Sequence, residues 1–228
     1  MDYVFQFSVI WNNLDRLALG TLLTLQLSAE TMVLGLLLGV FGAWAKTSGG
    51  RVLRGAVQAY IEAIRNTPFL VQLLLAYLGL PRLGLRLTPD AAALLAMTVN
   101  LGAYTTEIVR AGIDAVPRGQ WEAGRALGLR PWPVFRLIVL RPALQAVFPA
   151  LASQFILVVL GSSIISTISA EELTAVANNI QSQDFRPFEV YLAVGVIYVA
   201  LALGFEGVFT LVQRTLLRQP ARRWAPPR

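Results

Sequence analysis

The sequence predicts an all-α integral membrane protein of five transmembrane helices, with the N-terminus outside and the C-terminus cytoplasmic. Of 228 residues, 56% are hydrophobic and 14% charged, against about 25% charged in a soluble globular chain. The apolar residues gather into five runs, each near the roughly 20 residues that cross a bilayer as a helix. The basic residues fall in the breaks, and connections rich and poor in them alternate along the chain.

The first element, Tyr3–Trp11, is aromatic but too short to span. It reads as an interfacial stretch on the outer surface, within an N-terminal segment covering residues 1–16. No positive region and no small-residue cleavage site precede the first run, which is expected to act as its own targeting signal.

That run, Leu17–Trp44, is interrupted by Thr21, Thr24, Gln26, Ser28, Glu30 and Thr31 and ends at Lys46-Thr47-Ser48-Gly49-Gly50-Arg51. Gly35 and Gly39 form a small-xxx-small pair that suits close helix approach. The second run, Val57–Leu80, begins amphipathic with Glu62 and Arg65 and turns apolar after Pro68. Proline after Asn66-Thr67 predicts a break or kink there. The third, Ala91–Ile113, carries Asn100, Tyr104, Thr105, Thr106, Glu107 and Arg110. The fourth, Val147–Ile168, contains Pro149 and an interruption at Gly161-Ser162-Ser163, and the fifth is Val190–Val212. Together they define a transmembrane domain over residues 17–215, followed by a basic cytoplasmic tail, 216–228, with Trp224 as an interfacial anchor.

Orientation follows from lysine and arginine. Lys46, Arg51 and Arg54 lie between the first two runs, and Arg118, Arg125, Arg130, Arg136 and Arg141 between the third and fourth. Arg214, Arg218, Arg222, Arg223 and Arg228 lie at the C-terminal end. These regions are expected to be cytoplasmic, and the connections poorer in basic residues face outward.

Composition removes several chemistries. With no histidine and no cysteine, the chain offers no Ser-His or Cys-His nucleophile, no imidazole or thiolate zinc site and no disulfide. No catalytic or metal-ligating residues are assigned. Its one lysine, Lys46, follows Ala45, so the Gly-Lys-Ser/Thr end of a phosphate-binding loop is absent. Any nucleotide that drives this protein is bound by another polypeptide. The net charge of +6 lies on no continuous stripe, so membrane orientation explains it better than nucleic acid.

The longest cytoplasmic connection runs from Ala115 to Arg130. Pro117 near its start, Glu122 soon after and Gly128 as a stop predict a short helix over about residues 117–129. Its small residues Ala123, Gly124 and Ala126 suit docking into another protein's groove; a solvated linker is the alternative.

Glu122-Ala123-Gly124, then Gly128, then Ile138 and Leu140, resembles the EAA motif of ABC importer permeases. Val116-Pro117-Arg118-Gly119-Gln120, Tyr104-Thr105-Thr106-Glu107-Ile108-Val109-Arg110 and Arg65-Asn66-Thr67-Pro68-Phe69-Leu70-Val71-Gln72 resemble the polar amino acid (His/Glu/Gln/Arg/opine) branch, as do Thr24-Leu25 and Glu172-Leu173. The similarity covers about residues 18–215. Two departures stand out: Leu140-Arg141-Pro142 places the proline one position late, and Leu160-Gly161-Ser162-Ser163-Ile164 lacks the lysine that many relatives carry.

The resemblance implies a type I ABC importer permease (MetI-like) fold and a multi-pass protein of the cell inner membrane. It implies a second permease subunit, identical or homologous, a dimer of ATPase subunits that bind ATP and Mg, and an extracytoplasmic amino-acid-binding protein that delivers the solute. The permease itself then needs no cofactor and is not an enzyme. Gly119, Gln120, Glu122, Ala123, Gly124 and Gly128 would form the coupling helix that transmits the ATPase cycle to the spans.

Ionisable groups at membrane depth need a partner or a watery cavity. Glu30 is either a pathway charge or a hydrogen-bonded packing residue, and Glu206, flanked by Gly204 and Gly207, reads chiefly as a helix contact. Glu62 and Arg65, and likewise Glu107 and Arg110, are spaced to pair on one helix face as structural or gating ion pairs. Asn100, Tyr104 and Ser163 are candidate solute contacts, on spans that line the pathway in relatives, or else interhelical hydrogen-bond partners. A stand-alone ion-coupled carrier or channel, working through Glu30 and Glu206, is the alternative; it has no need of the docking helix.

Overall fold

The computed structural model describes residues 3–217. The tail residues Arg218, Arg222, Arg223 and Arg228 and the expected anchor Trp224 lie outside them. Helices α1 (Ser8–Asn12), α2 (Leu14–Ser48), α3 (Arg51–Arg65), α4 (Phe69–Leu74), α5 (Pro89–Asp114), α6 (Arg118–Ala126), α7 (Pro131–Val134), α8 (Leu140–Gly161), α9 (Leu173–Asp184) and α10 (Pro187–Val212) follow in order. Four continuous helical stretches are long and apolar enough to span: Leu14–Ser48, Pro89–Asp114, Pro131–Ile168 and Pro187–Thr215. The fifth is a bent pair, Arg51–Arg65 and Phe69–Leu83, whose axes meet at 110°.

Helices α2 and α5 form the centre of the bundle, and small residues set their separation. An added Cβ at Gly35 would lie 2.6 Å from Leu101 Cδ2, and one at Gly39 or Gly42 would overlap Thr105 or Thr106. The pair predicted from Gly35 and Gly39 is therefore the close approach itself, extended by one turn to Gly42. Gly102 answers from the other side, where a Cβ would meet Leu38 at 2.6 Å and the Tyr60 hydroxyl at 2.9 Å.

The expected break at Pro68 is present, and it is larger than a kink. Pro68 has no N–H to continue α3, and its own backbone is extended (φ −62°, ψ 141°). Helix α3 then presents two faces. Val57, Tyr60, Ile61 and Ile64 turn inward, with Ile61 buried, while Gly55, Ala56, Ala59, Glu62, Ala63 and Arg65 are exposed. The Tyr60 hydroxyl donates to the Val99 carbonyl at 2.6 Å, fixing α3 across the middle of α5.

The fourth span differs from its expected bounds. Helical structure starts at Pro131, well before Val147, so Arg136 and Arg141 lie within the continuous stretch Pro131–Ile168. The chain widens into a π turn at Phe135–Val139, just ahead of Pro142, whose missing N–H cannot serve the preceding helical turn. The same pairing occurs at the π turn Leu75–Gly79 and Pro81. At Gly161-Ser162-Ser163 the helix does not stop; it tightens to a 3₁₀ helix over Ser162–Ile168.

Between the fourth and fifth spans, α9 is pinned at its start. Glu172, fully buried, caps it by accepting from the Ala175 N–H at 2.7 Å and from the Tyr198 hydroxyl at 2.7 Å. The Leu173 N–H donates to Thr24 Oγ1 at 3.1 Å, so the cap joins α2, α9 and α10. Burial pushes the Glu172 carboxyl above the usual carboxylate range, against the hydrogen bonds that favour its charged form. The aromatic N-terminal stretch packs on the start of α10: Tyr3 Oη donates to Glu189 Oε2 at 2.5 Å, and the Phe5 and Phe188 rings meet edge to face at 5.5 Å.

Candidate functional site

The break in the second span gathers polar groups against the flank of α5, about midway along it and only partly buried. Where α3 ends, its last carbonyls lose their helical donors. Gln72, one turn into α4, supplies one: Nε2 donates to the Ile64 carbonyl at 2.7 Å and to the Thr67 carbonyl at 3.0 Å. Its Oε1 then accepts from Asn100 Nδ2 at 2.9 Å. One turn along α5, the Arg65 guanidinium stands 5.5 Å from the centroid of the Tyr104 ring, a cation–π geometry. Asn100 and Tyr104 thus belong to one polar cluster, together with Arg65, Thr67 and Gln72. Non-helical backbone is tolerated at membrane depth where it is packed in protein or lines a water-filled cavity. Such breaks are where transporters place solute sites.

Ser163 does not join that cluster. Its hydroxyl donates to the Leu160 carbonyl at 2.8 Å within its own helix. Glu30 also stands apart: it is exposed on α2, accepts from Gln26 at 3.0 Å, and lies opposite the Gly35 and Gly39 face. The expected pairing of Glu62 with Arg65 is corrected. Among the described residues no ion pair joins them; Glu62 accepts from Gln58 at 2.5 Å, and Arg65 turns to Tyr104. Glu206 is exposed on a face of α10 with Leu203 and Gly207, which continues to Arg214 just beyond the helix.

Glu107 and Arg110 do pair, at 3.0 Å, and they are part of a longer chain. Lys46 Nζ reaches Glu107 Oε1 at 2.6 Å, and Arg110 Nη1 reaches Asp114 Oδ2 at 2.7 Å. These charges tie the end of α2 to the end of α5, next to the loop that carries α6.

Helix α6 forms over Arg118–Ala126, inside the expected stretch 117–129, and stops at Gly128, whose φ of +73° is left-handed and favours glycine. Gly124 is its one buried residue, and an added Cβ there would meet Ile138 and Val134 at 2.8 and 2.9 Å. Trp121 packs on the Phe135 ring at 6.4 Å. This seats one face of α6 on a small core of Val116, Val134, Val139 and Ala143. Gly119, Glu122, Ala123 and Gly128 remain exposed, Gln120 is half-buried, and Leu127 beside them is 77% exposed.

Sequence reasoning missed Gln72, Lys46 and Asp114. Gln72 had a signal, since it closes the stretch that begins at Arg65. Lys46 and Asp114 had none, because their partners lie on other elements or outside the motif.

Residues 35–218 match the family described as "Binding-protein-dependent transport system inner membrane component". Among curated proteins, the chain is 34% identical over 221 residues to the glutamine transport system permease protein GlnP of Escherichia coli (strain K12), covering 96% of this chain and 97% of that one. It is 36% identical over 186 residues to the nopaline transport system permease protein NocM of Agrobacterium fabrum, covering 77% of each. It is 31% identical over 231 residues to the L-cystine transport system permease protein TcyB of Bacillus subtilis, covering 92% and 99%. A solved amino acid ABC transporter with histidines superposes with a TM-score of 0.88 at 36% identity, over 94% of this chain and all of that one. The MetNI methionine ABC transporter, facing inward, superposes at 0.77 with 20% identity over 91% and 99%, a likeness of fold alone.

Proposed function

The chain belongs to the family of binding-protein-dependent transport system inner membrane components, and on that premise we infer how its geometry serves import. It is the transmembrane permease subunit of an ATP-binding cassette importer for amino acids, placed in the inner membrane. The observation that carries the mechanism is the pairing of two features: a span broken beside the middle of α5, where polar groups gather, and an exposed helix seated on a small core beside the ends of α2 and α5.

The polar cluster is the solute's passage. Asn100 and Tyr104, with Gln72 holding Asn100 in place, present amide and hydroxyl groups that hydrogen-bond an ammonium or a carboxylate without a buried charge on the protein side. A polar amino acid fits them, and the relatives named for glutamine, nopaline and cystine transport support that class.

Helix α6 is the coupling helix. Its exposed side, with Glu122, Ala123 and Leu127, docks on a partner ATPase subunit, which holds the ATP and Mg. Its buried side, through Gly124 and Trp121, passes the movement to α7 and α8 as a rigid body. A second permease subunit closes the other side of the pathway, and an extracytoplasmic binding protein delivers the solute to the α9 side. The carrier alternative lacks support, because Glu30 and Glu206 lie away from the polar cluster.

The test is purification of the tagged chain from its native membrane, followed by reconstitution with its binding protein. Co-purification of an ATPase, and amino acid uptake that requires both ATP and the binding protein, is the expected result. Uptake that persists without ATP and follows an ion gradient overturns the reading.

A further inference from the structure

The late proline of Leu140-Arg141-Pro142 stands beside a charge that neither the polar cluster nor α6 uses. Arg136 and Arg141 are exposed, and among the described residues neither forms an ion pair or a hydrogen bond. In a regular α-helix, residues five apart point about 140° away from each other. The π turn Phe135–Val139 lies between these two, and its wider winding turns them toward one face. Large apolar side chains share that side: Trp132 is 67% exposed, Leu137 70% and Leu144 46%. The opposite side, through Val134, Val139 and Ala143, is buried in the core that seats α6. Depth follows from length. The stretch Pro131–Ile168 has 38 residues, about twice what the hydrocarbon core needs, so its start lies outside that core. No Asp, Glu, Lys or Arg occurs between Arg141 and Glu171, which makes Arg141 the last charge before the apolar zone. From Arg118 to Arg141 the chain carries five arginines against one carboxylate, Glu122.

We propose that Arg136 and Arg141 hold the phosphate of an anionic phospholipid whose acyl chains lie along Leu137 and Leu144. Binding itself needs only the membrane; its effect on uptake rests on the permease reading above. An arginine near the end of a span extends its head to the interface, where lipid phosphates lie. Its guanidinium matches phosphate oxygens in pairs. A zwitterionic lipid answers its own phosphate with an ammonium, whereas an anionic one leaves net negative charge for the second arginine. Trp132 suits the same level, as aromatic rings do at membrane interfaces. The Trp132 ring stacks on Phe135 at 5.9 Å, and Phe135 packs against Trp121 of α6 at 6.4 Å. The arginine face and α6 therefore share one ring, and a lipid held on that face steadies the seat of α6.

The experiment places the complete importer in vesicles of phosphatidylcholine alone, and of phosphatidylcholine with phosphatidylglycerol in a roughly three-to-one mixture. Native mass spectrometry reads the lipid retained, and uptake of a radiolabelled amino acid mixture is read beside it. The wild-type protein is expected to retain phosphatidylglycerol over phosphatidylcholine. The double variant Arg136→Gln, Arg141→Gln is expected to lose that preference by about tenfold or more, on the order of fivefold for each arginine. Wild-type uptake is expected to rise about threefold or more with phosphatidylglycerol, and the double variant's uptake to be alike in both vesicles. Arg141→Lys keeps the charge without the paired geometry and is expected to recover part of the preference. Equal retention of the two lipids by the wild type, or an unchanged preference in the double variant, overturns the proposal. Equal stimulation by inorganic phosphate in phosphatidylcholine vesicles assigns a soluble anion instead, and also overturns it. So does loss of the ATPase from the double variant with lipid retention unchanged, which gives this face to the ATPase. The two readings fail separately. ATP-driven uptake with no lipid preference removes only this inference, whereas retained phosphatidylglycerol without ATP-driven uptake in either vesicle supports the lipid site and removes the permease reading.

Discussion

Lys46 Nζ lies 2.6 Å from Glu107 Oε1 and joins the end of the first span to the end of the third. Glu107 also holds Arg110, and Arg110 holds Asp114, so one carboxylate anchors a chain of four charges. The side chains of Lys46 and Glu107 are 15% and 21% exposed, sheltered enough for the pair to matter and wet enough to limit its value. Glu107→Gln is expected to lower stability by about 1–2 kcal/mol. Lys46→Met combined with Glu107→Leu is expected to lose less than the sum of the two single changes, because no charge is stranded. Thermal unfolding of the detergent-solubilised protein measures both; strict additivity contradicts the pairing.

The α2 and α5 contact predicts a steep response to one methyl group. Gly39→Ala places a Cβ against the Thr105 side chain and close to its backbone, and overpacking of this kind costs about 1–3 kcal/mol. The change at Gly55, where nothing lies within 4 Å, is expected to leave the melting temperature of the single subunit within a degree or two, roughly the scatter of a neutral surface substitution. Equal melting temperatures for Gly39→Ala and Gly55→Ala would contradict the packing described.

The cap at Glu172 separates charge from hydrogen bonding. One of its oxygens accepts from the Ala175 N–H and the other from Tyr198 Oη. Glu172→Gln keeps an acceptor for the backbone and offers an N–H to the tyrosine oxygen, whereas Glu172→Ala leaves the Ala175 N–H without its partner. Alanine is expected to cost about 1–3 kcal/mol and glutamine less than half of that. Melting curves for the two variants decide it, and equal loss would mean that the carboxylate's charge is what matters.

At the broken span, Gln72→Leu removes the donor that holds the Ile64 and Thr67 carbonyls and the acceptor that holds Asn100. Asn100→Leu removes only the latter contact. Asn100→Leu is expected to raise the KM for uptake by about tenfold, with the subunit's stability little changed, the size expected for one lost polar contact to solute. Gln72→Leu is expected to lower both stability and uptake. Kinetics of uptake alongside melting curves separate them.

Much of the fold was legible because each span is a long apolar run and each interruption carries a residue with a backbone meaning. Pro68 marked the break, Gly128 marked the end of α6, and Gly35 and Gly39 marked the helix contact. The fourth span was misjudged at its start because Arg136 and Arg141 look like loop residues; a helix of the stretch Pro131–Ile168 can carry them where its end leaves the apolar zone. Asn100 and Tyr104 stood out by polarity inside an apolar run, and they fall in one polar cluster with Arg65 and Gln72. Ser163 was grouped with them on the same signal and lies in a different bonding arrangement. Intrahelical spacing could not distinguish Glu107 and Arg110, which pair, from Glu62 and Arg65, which do not, because Tyr104 and Gln58 take the second pair's groups from positions that spacing does not weigh.

The measurement that bears most directly on the central claim is Glu122→Lys in the complete importer, read as ATPase association and amino acid uptake from the same membranes. Glu122 is exposed on α6, opposite the buried Gly124, so the variant is expected to fold and insert at wild-type levels. The expected result is loss of uptake by about tenfold or more together with weakened or uncoupled ATP hydrolysis. Unchanged uptake and unchanged hydrolysis would contradict the assignment of α6 as the element through which the ATPase drives this permease.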